Sequence, residues 1–220
     1  SDCWLVRGNF TQTNTNLENV KLRVDDSEDI YKYYDAPVPV ELVETPPNQA
    51  EVERVSFVYP FSLTNLLRLD SLKVFKQSAA DTKGYLVVSG LSLGSQKKSL
   101  LIDRLSSSNY VCVKDEEIND VSQVSPACNG QNEFLIKCDG TLRFNNYKCT
   151  INGNYFNVSG LVHSAVVEWS SPTPSSGESA YNAAVGIVVL ALTILAVYAA
   201  LNLRLKLKKP AKKAKAGILG

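Results

Sequence analysis

Apolar and polar residues alternate along the first three quarters of the chain in short bursts. Lys21-Leu22-Arg23-Val24-Asp25 and Glu51-Val52-Glu53-Arg54-Val55-Ser56-Phe57-Val58 follow the period of two that lines one face of a half-buried strand. Branched and aromatic residues then recur in Leu72–Phe75, Tyr85–Val88, Ser99–Ile102, Tyr110–Val113, Phe134–Lys137, Tyr147–Ile151 and Tyr155–Val158. Turn formers separate these runs, as in Ser92-Leu93-Gly94-Ser95, Cys138-Asp139-Gly140 and Ile151-Asn152-Gly153-Asn154. The Asn-Gly step between two strand-like runs predicts a hairpin. Short strands at this spacing point to a β-sandwich, of one module or two. A helix over Leu63–Leu72 is an alternative for that stretch, set against its flanking Pro60 and Asp70.

The pattern changes after residue 178. Residues 179–203 carry no charge, and their centre, AAVGIVVLALTILAVYAAL at 183–201, is nearly all apolar. About 20 residues of helix cross a hydrocarbon core about 30 Å thick, and a lone strand would leave its backbone unsatisfied there. Thr193 can bond a carbonyl one turn back. Tyr181 and Tyr198 fall near the two membrane interfaces. The competing reading is a buried helix of a soluble domain, which the abrupt basic flank opposes. The expected fold class is therefore mostly β, an extracytoplasmic β-sandwich ectodomain followed by a single C-terminal transmembrane helix.

Charge gives the orientation. The chain has 220 residues with 23 Lys plus Arg and 22 Asp plus Glu. Arg204, Lys206, Lys208, Lys209, Lys212, Lys213 and Lys215 all follow the apolar run, with no acid among them. Basic residues collect on the cytoplasmic side, with Arg204 and Lys206 at that interface. The expected location is the cell membrane, single-pass, N-terminus outside and C-terminus cytoplasmic. The bilayer is the first partner, and the tail is either a stop-transfer anchor or a contact with anionic lipid. The opening SDCWLV, without initiator Met or apolar leader, fits a start left by a cleaved signal peptide. Between Trp169 and the helix, residues 170–182 begin SSPTPSSGES and read as a stalk.

Cysteines fit an oxidising compartment. Cys112, Cys128, Cys138 and Cys149 are separated by 15, 9 and 10 residues, without the close C-x-x-C pairs of zinc sites. Four cysteines allow three pairings, and short loops between neighbouring strands favour Cys112–Cys128 with Cys138–Cys149. Cys3 is left over: free, bridged to another chain, or displacing a member of that pairing. The triplets Asn9-Phe10-Thr11 and Asn157-Val158-Ser159 are candidate N-glycosylation sites, the second inside a predicted strand.

One echo runs through the chain. Tyr85-Leu-Val-Val-Ser-Gly-Leu91 matches Tyr155-Phe-Asn-Val-Ser-Gly-Leu161 at five of seven positions. It marks either two related β modules or one strand-end solution used twice. On the first view residues 1–105 form an N-terminal β region and 106–169 a cysteine-containing module. The stalk at 170–182, the helix at 183–203 and the basic tail at 204–220 follow.

The stretch Tyr110-Val-Cys-Val-Lys-Asp-Glu-Glu-Ile118, Cys128-Asn-Gly, Phe134-Leu-Ile-Lys-Cys138, Tyr147-Lys-Cys149 and Val158-Ser-Gly-Leu-Val-His-Ser164 resembles a cysteine-bearing β module of archaeal secreted and membrane-anchored surface proteins. The resemblance covers about residues 84–168. It implies an archaeal cell-surface protein modified by glycan, and brings no catalytic residues with it.

Candidate chemistry is sparse. His163 is the only histidine, followed by Ser164, and no Gly-x-Ser-x-Gly elbow supports a hydrolytic site. Asp25, Asp26 and Asp29, and Asp115, Glu117 and Asp120, are weak calcium candidates that lack Asp-x-Asp-x-Asp-Gly spacing; solvated acidic loops are the plainer reading. Tyr31, Tyr33 and Tyr34 with Lys32 form either an interface patch or an ordinary half-buried strand. No phosphate-cradling loop is present, and the acidic first 203 residues argue against nucleic acid. No cofactor, no metal and no enzymatic activity are expected. The function read from the sequence is a structural or binding role at the cell surface, with protein or surface glycan as partner. Alternatives are an accessory subunit of a membrane complex, packed through Gly186 and neighbouring alanines, and a subunit of an extracellular filament.

Overall fold

The computed structural model describes residues 5–11, 14–28, 34–62, 64–163 and 165–170. Among them are thirteen strands: β1 (Val6–Arg7), β2 (Lys21–Val24), β3 (Val38–Glu44), β4 (Val52–Tyr59), β5 (Leu67–Arg68), β6 (Lys73–Lys76), β7 (Tyr85–Ser89), β8 (Lys98–Asp103), β9 (Tyr110–Lys114), β10 (Glu133–Lys137), β11 (Lys148–Asn152), β12 (Tyr155–Leu161) and β13 (Ala165–Trp169). The described residues hold no α-helix, and none of their helices is long and apolar enough to cross a membrane. The expected stalk, membrane helix and tail lie outside the described residues, as does Cys3.

Two antiparallel sheets carry the fold. One has the order β10-β9-β13-β7-β6 and the other β11-β12-β8-β4-β3-β2, with β1 and β5 as a small parallel pair. Their inner faces share one core. Val111, Val113, Leu86, Val88 and Val166 from the five-stranded sheet meet Val40, Leu42, Val55, Phe57, Leu100, Ile102, Phe156 and Val158 from the six-stranded one. Both sheets take strands from either side of residue 105, so that core spans the proposed junction.

Of the stretch expected as a possible helix, residues 64–72 contain β5 and turns instead. Its Leu67 and Leu69 are both buried, the spacing of a strand, and Leu67 N donates to Leu5 O across the β1–β5 pair. Alternation also fails within β4, where Arg54 and Val55 are both buried. The register slips opposite Leu42 and Val43, so Arg54 is the extra residue of a β-bulge. This lets the chain change phase without exposing Val55.

The strand directions define two ends of the sandwich. Ser170 leaves β13 at one end, beside the Arg104–Asn109 connection, where Ser108 Oγ donates to Trp169 O. At the opposite end lie Lys98, Gly90, the Lys114–Glu117 turn and the Val162–His163 connection.

Both disulfides are formed, Cys112 with Cys128 and Cys138 with Cys149, the pairing that loop length favoured. They do not join neighbouring strands. Cys112 points from β9 to the outer face of its sheet, where Ile118, Val124 and Cys128 fold back over Val87 and Ala165 as a second small core. Cys138, just beyond β10, reaches Cys149 on β11 and so links the two sheets.

Candidate functional site

A group of titratable side chains, reaching from the buried Lys98 to the exposed His163 and Glu117, sits at the end of the sandwich opposite Ser170. Lys98 opens β8 and points inward, and Leu161 at the end of β12 is its partner in register. Its amine donates to Val162 O at 2.5 Å, and the residue is 2% exposed. Burial lowers its pKa to about 8, against the opposing pull of the Asp115 and Glu117 carboxylates. Asp115, just past β9, accepts from Tyr147 Oη at 2.5 Å and from His163 N at 2.6 Å. Burial and that hydrogen bond to a carboxylate push the Tyr147 pKa up. Glu117 accepts from Gly90 N at 2.5 Å and lies 3.6 Å from His163 Nδ1.

The group thus joins three connections: the end of β7, the turn after β9 and the link from β12 to β13. A lysine near pKa 8 has the reactivity of a nucleophile. Here it is sealed beneath the Val162–His163 backbone, so a carbonyl reaches it only if that connection opens. The geometry is a clamp, with His163 and Glu117 as its solvent-facing members.

The two acidic runs separate in the fold. Asp25 and Asp26 occupy the left-handed positions of a two-residue turn, with Val24 and Ser27 exchanging backbone hydrogen bonds around them. Asp29 lies outside the described residues. Asp115 and Glu117 belong to the clamp. Asp120 caps the 3-10 turn Val121–Gln123 by accepting from Ser122 N, while Gln123 returns the contact to Asp120 N. Among the described residues, the metal-type ligands that converge are Cys112, Cys128 and Glu133, and both sulfurs are spent in the disulfide. Glu133 instead holds the Ser125–Gly130 loop through Ser125 N and Gly130 N.

The remaining candidates are placed as follows. Asn9 is exposed beyond β1, and Asn157 is exposed on the outer face of β12 between Thr150 and Leu101. Tyr34 is buried against Phe61. Tyr31, Lys32, Tyr33, Ser164, Tyr181, Tyr198, Arg204 and Lys206 lie outside the described residues.

Two buried polar centres are not among the candidates read from the sequence. Glu44 and Arg54, 0% and 3% exposed, pair at 2.6 Å. Lys76 joins Glu44 at 2.7 Å, Arg54 reaches Asp103 at 2.9 Å, and the guanidinium lies over the Tyr155 ring. Two positive and two negative groups balance, as burial of charge requires. Glu168 on β13 is fully buried and accepts from Gly84 N, Leu105 N, Ser106 N and Ser106 Oγ. The phase change at Arg54–Val55 was the one clue to the first centre.

No known protein family, curated protein or solved structure matches the chain. What the fold and geometry define is a two-sheet antiparallel β-sandwich with two disulfides and buried polar clamps at both ends.

Proposed function

We propose that this chain is a single-pass membrane protein of the cell surface, with its sandwich outside and the basic tail inside, acting as a structural or binding element. The observation that carries the reading is the uncharged run at 179–203 followed at once by seven basic residues. Two disulfides support an oxidising compartment. The exposure of Asn9 and Asn157 supports glycan at both triplets. Polar side chains spent on holding loops support a role in presenting a rigid surface instead of turning over a substrate. An archaeal source, and partners drawn from surface proteins or glycans, belong to the same proposal.

The test is protease protection of the full chain in sealed vesicles, combined with alkaline extraction. The expected result is a chain that resists extraction and a protected fragment confined to the membrane run and tail. Release by alkali, or protection of the sandwich with the tail exposed, would overturn the reading. Native mass in mild detergent then separates a stand-alone binder from an accessory subunit with fixed partners.

A further inference from the structure

Each sheet of the sandwich has an outer face, and the two faces differ. The five-stranded sheet is covered by its own chain. The excursion between β9 and β10, stapled by Cys112–Cys128, lays Ile118, Val124 and Cys128 over Val87 and Ala165. The six-stranded sheet carries no such layer among the described residues, and Val58, Lys148 and Asn157 along its outer face are exposed.

Register shows what that face is made of. Val55, Phe57, Leu100, Ile102, Phe156 and Val158 point into the core, so the residues between them point outward. Ser56 on β4 pairs with Ser99 on β8, and Ser99 pairs in turn with Ser159 on β12. Three small hydroxyl side chains thus lie side by side across the middle of the sheet. Glu41 stands beside Ser56 at one end of the row and Lys148 beside Ser159 at the other, so the row is a shallow trough closed by larger side chains. Next to it Asn157 lies between Thr150 on β11 and Leu101 on β8. Leu101 is half-buried and packs into neither core cluster. Among the described residues, the side chains of Ser56, Ser99, Ser159, Thr150 and Asn157 make no hydrogen bond.

A sugar ring matches this mixture. Its hydroxyls both donate and accept, as serine hydroxyls do, and its C–H face packs on an apolar side chain. The triplet Asn157-Val158-Ser159 is an acceptor of N-linked glycan, and its last member, Ser159, is also the end of the serine row.

We infer that the trough is a binding site for the chain's own glycan, attached at Asn157 and lying over Leu101 and the Ser56–Ser99–Ser159 row. The inference rests on the reading that places the sandwich outside the cytoplasm. β4 lies two strand spacings, about 10 Å, from β12, which the first rings of a glycan reach. A sugar tethered beside its site has an effective concentration of mM order, so contacts too weak to hold a free sugar hold this one. The glycan covers this sheet as the stapled excursion covers the other, and it closes the face to protein partners.

The test uses the full chain isolated from its own membrane. Periodate, which cleaves the vicinal diols of accessible sugars, is applied to the folded chain and to the Asn157 peptide released from it by digestion. The expected result is sugar mass on Asn157, oxidised about tenfold more slowly in the folded chain, the factor that two net hydrogen bonds give. Ser99→Arg fills the trough and Leu101→Ser removes its apolar wall. Both variants are expected to keep the sugar and regain the fast rate, with thermal midpoints showing that they fold. Asn157→Gln and Ser159→Ala each break the triplet and are expected to lower the midpoint alike, by about 2–4 °C. Asn157 without sugar, equal rates in chain and peptide, a slow rate indifferent to both trough substitutions, or midpoints unmoved in both triplet variants would each overturn the inference. A sugar-bearing chain that alkali releases from the membrane, with the slow rate intact, would overturn the membrane-anchored reading alone.

Discussion

Glu168→Gln tests how the strand that leaves the sandwich is held. Among the described residues no cation pairs with the Glu168 carboxylate, which accepts four hydrogen bonds, two at each oxygen, at 2.7–3.1 Å. Glutamine keeps the shape but has one acceptor end. Its oxygen is best placed toward Gly84 N and Leu105 N, since the Ser106 hydroxyl can turn to accept from the amide while Ser106 N cannot. One backbone N–H is then orphaned, at about 1–3 kcal/mol, and three bonds lose charge assistance worth about 1 kcal/mol each. Removing a buried charge returns several kcal/mol of desolvation. The net is a loss of about 2–3 kcal/mol, or roughly 4–12 °C in thermal midpoint for a chain of this size. Ser106→Ala removes only the hydroxyl bond and is expected to cost about 1 kcal/mol. Glu168→Ala, which orphans three N–H groups and leaves a cavity, is expected to cost about 4 kcal/mol or more. Thermal unfolding of the full chain in mild detergent reads the series. A Glu168→Gln midpoint equal to wild type, or Ser106→Ala worse than Glu168→Gln, would refute the reasoning.

Three further outcomes follow from the geometry. The Lys98 pKa falls from 10.5 to about 8 on folding, because burial disfavours the charged amine. The unfolded chain therefore binds more protons between those values, and stability rises with pH across that window. Lys98→Met is expected to remove a rise of order 3 kcal/mol from the wild-type profile; equal slopes between pH 8 and 10 would count against it. Replacing Cys112 and Cys128 together by Ser is expected to cost about 3 kcal/mol, from the loop closed by a separation of 16 residues. Alkylation should change the mass at Cys112, Cys128, Cys138 and Cys149 only after reduction, and labelling of them without reductant would show that the bridges are not formed. Gly160→Ala places a Cβ 2.3 Å from Asn146 O at a φ of +89°, so a cost above about 2 kcal/mol is expected in denaturant unfolding. A neutral result there would mean the Asn146 carbonyl can move aside.

Where side-chain pattern alone decides, the chain is readable. β2, β4, β7, β8, β9, β10, β11 and β12 all fall on runs whose apolar residues alternate or cluster. β3 escapes because Pro37 and Pro39 interrupt it. In the fold Asp25 N donates to Pro39 O, which places the missing Pro39 N–H on the β2 side at the point where β2 gives way to its turn. β13 escapes because Glu168 sits at an inward position, where the backbone N–H groups of Gly84, Leu105 and Ser106 and the Ser106 hydroxyl make a charge tolerable. The Tyr85–Leu91 and Tyr155–Leu161 echo has a physical content short of duplication. β7 and β12 belong to different sheets, yet Gly90 and Gly160 both take positive φ where a neighbouring carbonyl would strike a Cβ, Ser71 O at 2.0 Å and Asn146 O at 2.3 Å. The clamp around Lys98 had no local signature. Its members stand at 90, 98, 115, 117, 147 and 163, and only the fold makes them neighbours.

The position of β13 connects architecture to the proposed role. The strand that leaves the sandwich could have been an edge, but it lies between β9 and β7 and is hydrogen-bonded on both sides. A pull transmitted along the chain beyond Ser170 acts along the strand axis. It must shear two antiparallel ladders together, whereas an edge strand would peel from one. At the loaded end Glu168 adds bonds to Gly84, Leu105 and Ser106, and Ser108 Oγ bonds Trp169 O, so the connections flanking β7 and β9 share the load. At the other end Asp115 and Glu117 hold the β12–β13 connection through His163. Resistance to forced unfolding is set by the unfolding barrier, and bonds that must break together raise it. A module tethered through its last strand and binding at a distance gains most from that arrangement.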